Sequence, residues 1–338
     1  MVIFRRLSAS VLAALLLTGC ETLSYYAQAI GGQMSLLSQA RPVADLLADP
    51  ATPPPLRERL RLARDIRNYA VKDLKLPDNA SYRSYADIGR PYAVWNVVAA
   101  PEFSLEPLKS CFPVAGCVSY RGFFSQDDAE RYAAGLRAQG NDVYVQGVPA
   151  YSTLGHFDDP LLSTFINFPD ASLAQLVFHE LAHQVAYVQG DSTFNESFAV
   201  MVEQEGVRRW LAATGRSAEQ KAYLAARERN KAYVSEIEQA RARLRVLYRQ
   251  RIAPEAMRAA KRAEFAALKA KLGGGAGSKD LAPNNAFLAA FATYTDLVSS
   301  FEYLLQEEGG DLERFYARVR KYAASAPSDR GPFSAPAK

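Results

Sequence analysis

The alternation of apolar and polar residues divides this chain into stretches of different period. Residues 21–45 are weakly patterned and read as a helix. After Pro53–Pro55, the residues Leu56, Leu60, Leu62, Ile66 and Ala70 recur near helical spacing, which predicts an amphipathic helix lying on the core with proline at its start. The next stretch changes character. "YAVWNVVAA" (92–100) and "CVSYRGFF" (117–124) are rich in β-branched and aromatic residues and read as strands. "SQDDAERYAAGLRAQG" follows, with Ser125 as an N-cap, acids in the first turn and Gly140 at the end, and then "NDVYVQGVPAYSTLG" as one or two further strands. The implied order is strand, helix, strand, edge strand.

From Ala171 onward the pattern is almost entirely helical. Leu173, Val177, Leu181, Val185 and Val188 form one apolar stripe, so a buried helix is expected, started by Asp170 or Ser172 and ended at Gly190. Ser192 or Thr193 then caps a second helix. Residues 214–272 are rich in Ala, Arg, Glu and Lys and are interrupted by Pro254, which predicts two long antiparallel helices with a solvated, mixed-charge face. "GGGAGS" (273–278) is a flexible link, residues 279–324 hold a last set of helices that complete the core, and the tail at 325–338 has the composition of a disordered segment.

Composition alters this picture mainly at the start of the chain. "MVIFRRLSASVLAALLLTGC" has Arg5 and Arg6 before an apolar run too short to span a bilayer, and it reads as an export signal at 1–19 rather than part of the fold. Its end, Leu17-Thr18-Gly19-Cys20, resembles a bacterial lipobox, in which Cys20 carries lipid. That implies an envelope protein anchored to the membrane and facing the periplasm, and Glu21 after the cysteine points to the outer membrane. Without the two arginines the formal charge falls from +4 to +2, which gives no electrostatic footprint for nucleic acid. The expected partner is a peptide. Cys111 and Cys117 flank Pro113 and Gly116 in "CFPVAGC", and in an oxidising compartment they are expected to form a local disulfide.

The chain has three histidines, and two stand four residues apart in His179-Glu180-Leu181-Ala182-His183, the HExxH pattern. On a helix this spacing puts both imidazoles on one face toward one ion, while Glu180 reaches a water on that ion. Burying these groups among apolar neighbours is costly unless a cation pairs them. One zinc per chain is the expected cofactor. A catalytic zinc needs a third protein ligand and an open position.

"FNESFA", an Asn-Glu pair opening a helix shortly after HExxH, resembles the gluzincin metallopeptidases, and the resemblance implies that Glu196 is the third ligand beside His179 and His183. The twelve residues between His183 and Glu196 are fewer than in thermolysin or the aminopeptidase N relatives, so Glu203 stays open as the alternative. A broader resemblance rests on the lipobox, "CFPVAGCVSYRGFF", "AYSTLGHFDDPLLSTF", "FHELAHQ", "FNESFA" and "NNAFLAAFATY" in that order. Together they are similar to a bacterial family of predicted aminopeptidases with a zincin-type core.

That resemblance implies an α+β, predominantly helical fold: a small mixed sheet plus the HExxH helix at 91–213, a helical segment at 20–90, and the hairpin at 214–272 as an insertion. It implies Glu180 as general base. It also places "GVPAYSTLGHFDDP" as a substrate-binding edge strand, with Gly155 for close backbone approach and Asp158 or Asp159 facing a substrate ammonium, although an Asp-Asp-Pro turn explains the aspartates equally well. His156 is read as structural or as a substrate contact. Tyr294 is the candidate donor to the developing oxyanion, with Tyr151 and Tyr120 behind it, and Asn284 or Asn285 caps the helix that carries Tyr294. The expected activity is zinc-dependent aminopeptidase action. An endopeptidase, or a non-catalytic lipoprotein of the same fold that binds partners, are the alternatives.

Overall fold

The computed structural model describes residues 25–112, 116–272 and 282–325. The export signal with Cys20, the glycine link and the tail from residue 326 fall outside the described residues. The fold is α+β and mostly helical, with small sheets. No helix among the described residues is long and apolar enough to cross a membrane.

The chain opens with α1 (residues 25–38), then β1 (Arg41–Pro42), α2 (Val43–Ala48) and α3 (Pro54–Lys72). Helix α3 starts at proline, whose fixed φ and missing N–H suit a first turn, and it buries Leu60, Ala63, Ile66 and Ala70. It also buries Arg67, whose guanidinium donates to the carbonyls of Pro77, Asn79 and Ser81 and so holds the loop that follows. The strands β2 (Ser84–Ala86), β1 and the later β8 (Leu161–Leu162) make a short mixed sheet in the order β1-β2-β8.

The main sheet is antiparallel in the order β6-β3-β7, formed by β3 (Val94–Ala100), β6 (Arg121–Phe123) and β7 (Asp142–Val148). Register runs from Val94 opposite Val148 to Ala100 opposite Asp142. Helix α4 (Gln126–Ala138) carries the chain from β6 to β7, and Ser125 caps it by accepting the Asp128 N–H. The segment expected as one strand at 117–124 is divided. Its first part, β5 (Gly116–Val118), pairs with β4 (Ser110–Phe112) in a hairpin where Cys111 and Cys117 face each other and are joined by a disulfide. Ser119 leaves this pairing because its N–H goes to the Ser192 hydroxyl at 3.3 Å.

The largest apolar core lies around two consecutive helices, α5 (Asp170–Ala182) and α6 (Ser192–Ala213). Their close approach depends on Gly206: a Cβ there would lie 2.8 Å from Leu74 and from the Phe178 ring. The hairpin α7 (Ser217–Leu247) and α8 (Pro254–Leu272) breaks at Pro254 as expected, and packs Ile237, Leu244 and Leu268 against Leu288 of α9 (Asn285–Thr295). Arg241 clamps Asp296 through two hydrogen bonds at 2.6 and 3.1 Å. Asn284 caps α9, while Asn285 bonds the Pro101 and Glu102 carbonyls at the end of β3. Helices α10 (Val298–Glu307) and α11 (Leu312–Ala324) complete the core.

Candidate metal centre

Helix α5 starts after Pro169 with no side-chain cap; Asp170 instead pairs Arg59 and Arg216, each at 2.6 Å. The helix ends at Ala182 rather than at Gly190, a correction to the periodicity reading. His183 is its C-cap and keeps helical dihedrals (φ −57°, ψ −23°), so the four-residue spacing to His179 survives. The chain turns away beyond it because Asn195 grips Val188 from both sides: its Oδ1 accepts the Val188 N–H at 2.8 Å and its Nδ2 donates to the Val188 carbonyl at 2.9 Å. The N-cap of α6 is Asp191, which accepts the Phe194 N–H, and not Ser192 or Thr193. This sets Glu196 in the first turns of α6, facing back toward α5.

One nitrogen of each histidine and one oxygen of Glu196 lie within 4.8 Å of one another. Glu196 Oε2 is 3.3 Å from His179 Nε2 and 3.6 Å from His183 Nε2. Glu203, two turns further along α6, takes the other side of the same ring: its Oε2 is 2.7 Å from His179 Nδ1, and its Oε1 accepts from Gln175 at 2.7 Å. His183 Nδ1 is buried without a hydrogen-bond partner. Gln184 accepts a hydrogen bond from Asn79 at 2.5 Å and donates to Ser81 at 3.3 Å, tying His183 to the loop that Arg67 holds.

The electrostatics fit a place for positive charge. Burial pushes His179 down, but its hydrogen bonds to Glu196 and Glu203 outweigh this and hold its pKa well above the ordinary imidazole value. Burial pushes Glu196 up, yet the two histidines overcome this and bring it to about 2. Glu180, which shares the cavity, is raised, chiefly by burial. Tyr294 is held well above the usual phenol range chiefly by the charge of Glu196; its ring, partly open to solvent, stacks on His179 with centroids 6.4 Å apart. Ser197 positions that segment, accepting the Leu297 N–H at 3.2 Å at the end of α9.

His179, Glu180, His183, Glu196 and Tyr294 all line one cavity of about 390 Å³, together with Tyr120, Tyr151 and Tyr187. Two other cavities, of about 590 and 620 Å³, carry no histidine. Tyr151 directs its hydroxyl to Gln33 of α1. The expected edge strand beyond Val148 is a loop. Leu154 lines the cavity with φ +58°, and Gly155 follows at φ +80°, so the glycine answers a left-handed turn. Its Cβ position is open, with nothing nearer than Gln184 at 3.8 Å, and Gly155 itself does not line the cavity. His156 and Asp158 are exposed and Asp159 is buried; none of the three lines the cavity. Asp159 accepts the Thr153 N–H at 2.9 Å, and burial raises its pKa to about 7.

The sequence reading missed Gln175 and the clamp by Asn195. A helical-period signal existed for the relation of Glu203 to Glu196, since residues seven apart share a face. No signal existed for α1 as part of the cavity.

No curated protein and no solved structure matches the chain. A family model described as "Putative aminopeptidase" matches residues 24–332, a span that holds every element named above. The chain belongs to that aminopeptidase family.

Proposed function

We propose that this protein is a zinc-dependent aminopeptidase with a zincin-like core, held to the bacterial envelope by lipid on Cys20 and facing the periplasm, on the outer membrane. The observation that carries the reading is the convergence of two imidazoles and a carboxylate within 4.8 Å, on a cavity that Glu180 also lines. Two nitrogen donors and one oxygen donor suit a catalytic zinc, and the carboxylate on His179 Nδ1 is the kind of partner that orients a metal-bound imidazole. His179, His183 and Glu196 would hold the ion, and Glu203 would fix the His179 ring.

Bound there, zinc supplies Lewis acidity toward a peptide carbonyl and toward water. Glu180 accepts the proton of the attacking water and delivers it to the leaving amine. Tyr294, on the wall beside His179, donates to the oxygen on which charge develops. The test is metal analysis of the purified mature chain together with cleavage of a peptide library bearing free N-termini. About one zinc per chain and release of N-terminal residues are expected; a metal-free protein without peptidase activity would overturn the reading.

A second reading, endopeptidase action at the same centre, is favoured by one observation: neither Asp158 nor Asp159 lines the cavity as a partner for a substrate ammonium. Equal cleavage of free and N-acetylated peptides at internal bonds would select it.

A further inference from the structure

The cavity has a polar end and an apolar body. His179, Glu180, His183 and Glu196 make the polar end, and no lysine or arginine is among the described residues that line the cavity. The body is built from rings: Tyr25, Tyr26, Phe112, Tyr120, Phe124 and Tyr151. Its volume, about 390 Å³, lies at the small end of ligand sites.

Helix α1 supplies one wall through Tyr25, Tyr26 and Ala29. It is seated closely. A Cβ on Gly32 would lie 2.2 Å from the Phe124 ring, so only glycine lets the helix backbone rest there. Gln28 accepts the Phe124 N–H at 3.1 Å, and Gln33 accepts the Tyr151 hydroxyl. The Arg121 guanidinium lies over the Tyr25 ring at 4.0 Å and over Tyr132 at 4.7 Å, fixing the start of the helix. From Thr22 to Ala40 the chain carries no charged residue, so this wall brings no charge to the cavity.

Resting on the peptidase reading above, we propose that this chamber receives the side chain of the substrate's N-terminal residue, that it selects a bulky apolar one, and that α1 sets its width. An apolar side chain entering an aromatic-lined chamber gains by leaving water, in proportion to the area it buries. A charged side chain, acidic or basic, would have to give up its water among these rings, where no described residue of opposite charge lies beside it.

The test uses the zinc-loaded Glu180→Gln chain, which does not consume its ligand, and calorimetric binding of Phe-Gly-Gly, Ala-Gly-Gly, Lys-Gly-Gly and Asp-Gly-Gly. Phe-Gly-Gly is expected to bind about 10- to 100-fold more tightly than Ala-Gly-Gly, with the lysyl and aspartyl peptides no better than the alanyl one. Ala29→Trp, which fills the chamber from α1, should weaken Phe-Gly-Gly at least about tenfold and leave Ala-Gly-Gly within about twofold. If that variant does not fold, Tyr26→Ala answers the question by reducing the phenylalanyl preference. Equal affinities, preference for the charged residues, no binding of any peptide, or an equal effect of Ala29→Trp on both peptides would overturn the proposal. Hydrolysis by the unmodified chain is scored separately: its absence tells against the peptidase reading, while the binding ratio still judges the chamber.

Discussion

Glu203 approaches His179 from the Nδ1 side at 2.7 Å, leaving Nε2 to face Glu196 at 3.3 Å. One imidazole therefore separates two carboxylates that lie seven residues apart on the same helix. The two should behave differently on substitution. Glu196→Ala is expected to abolish tight zinc binding, whereas Glu203→Ala should weaken it by about 10- to 100-fold, the usual cost of losing an orienting partner. Competition against a fluorescent chelator measures both. A larger loss in Glu203→Ala would reverse the assignment.

Glu180→Gln keeps the size and shape of the side chain while removing its basicity. Zinc content and thermal stability should stay near those of the unmodified chain, and kcat/KM should fall by about 10²- to 10⁴-fold. His179→Ala/His183→Ala should lose the metal altogether. Retention of stoichiometric zinc by that double variant would remove the basis for a metal centre.

Asn195→Ala should destabilise the fold without touching any proposed donor. It leaves the buried Val188 N–H without its partner and its carbonyl with the Asp191 N–H alone, at about 1–3 kcal/mol. Urea unfolding reads this directly. Zinc affinity should fall as well, because the return from His183 to Glu196 loses its anchor. A variant as stable as the parent would mean that the clamp does not hold the turn.

Asp159 gives a pH dependence whose sign is fixed by its burial. Its pKa rises from an ordinary value of 3.8 to about 7 in the folded chain, so the folded state holds a proton that the unfolded state releases. Its contribution to stability is complete below about pH 4 and is lost as the pH climbs toward about 7. Asp159→Asn should lack that loss, so its stability relative to the parent increases between pH 4 and 8. Parallel curves would refute the argument. Asp158→Asn, at an exposed position, should change the preference for free over acetylated N-termini by no more than about twofold.

Much of this molecule can be read from local pattern. The helical period around His179 and His183, the cap at Ser125, the break at Pro254 and the Cys111–Cys117 disulfide are set by residues near each other in sequence, and all four occur in the fold. The departures come from side-chain hydrogen bonds to the backbone. Helix α5 stops at Ala182 because a side chain on the next helix takes the backbone of Val188. The strand expected at 117–124 divides because Ser192 captures the Ser119 N–H. The substrate edge strand gives way to a loop in which Asp159 holds Thr153. In each case a polar side chain replaced a backbone partner that periodicity assumes, and such exchanges leave no mark on the hydrophobic pattern. The wall from α1 was invisible for a similar reason, since its seat on Phe124 is a contact between segments about ninety residues apart in sequence, a separation that no local window spans.

His179 and Glu196 are seventeen positions apart, and Glu180, His183 and Glu203 fall in or just beyond that interval. The loop that must close to bring them together is short, so its entropic cost is small. The sheet, by contrast, pairs Trp95 with Gly147 across some fifty residues. The donor cluster thus belongs to the rapidly formed, low-contact-order part of the chain. An ion present during folding would find its ligands while the chamber walls are still apart, and could stabilise a two-helix unit around which the later strands assemble.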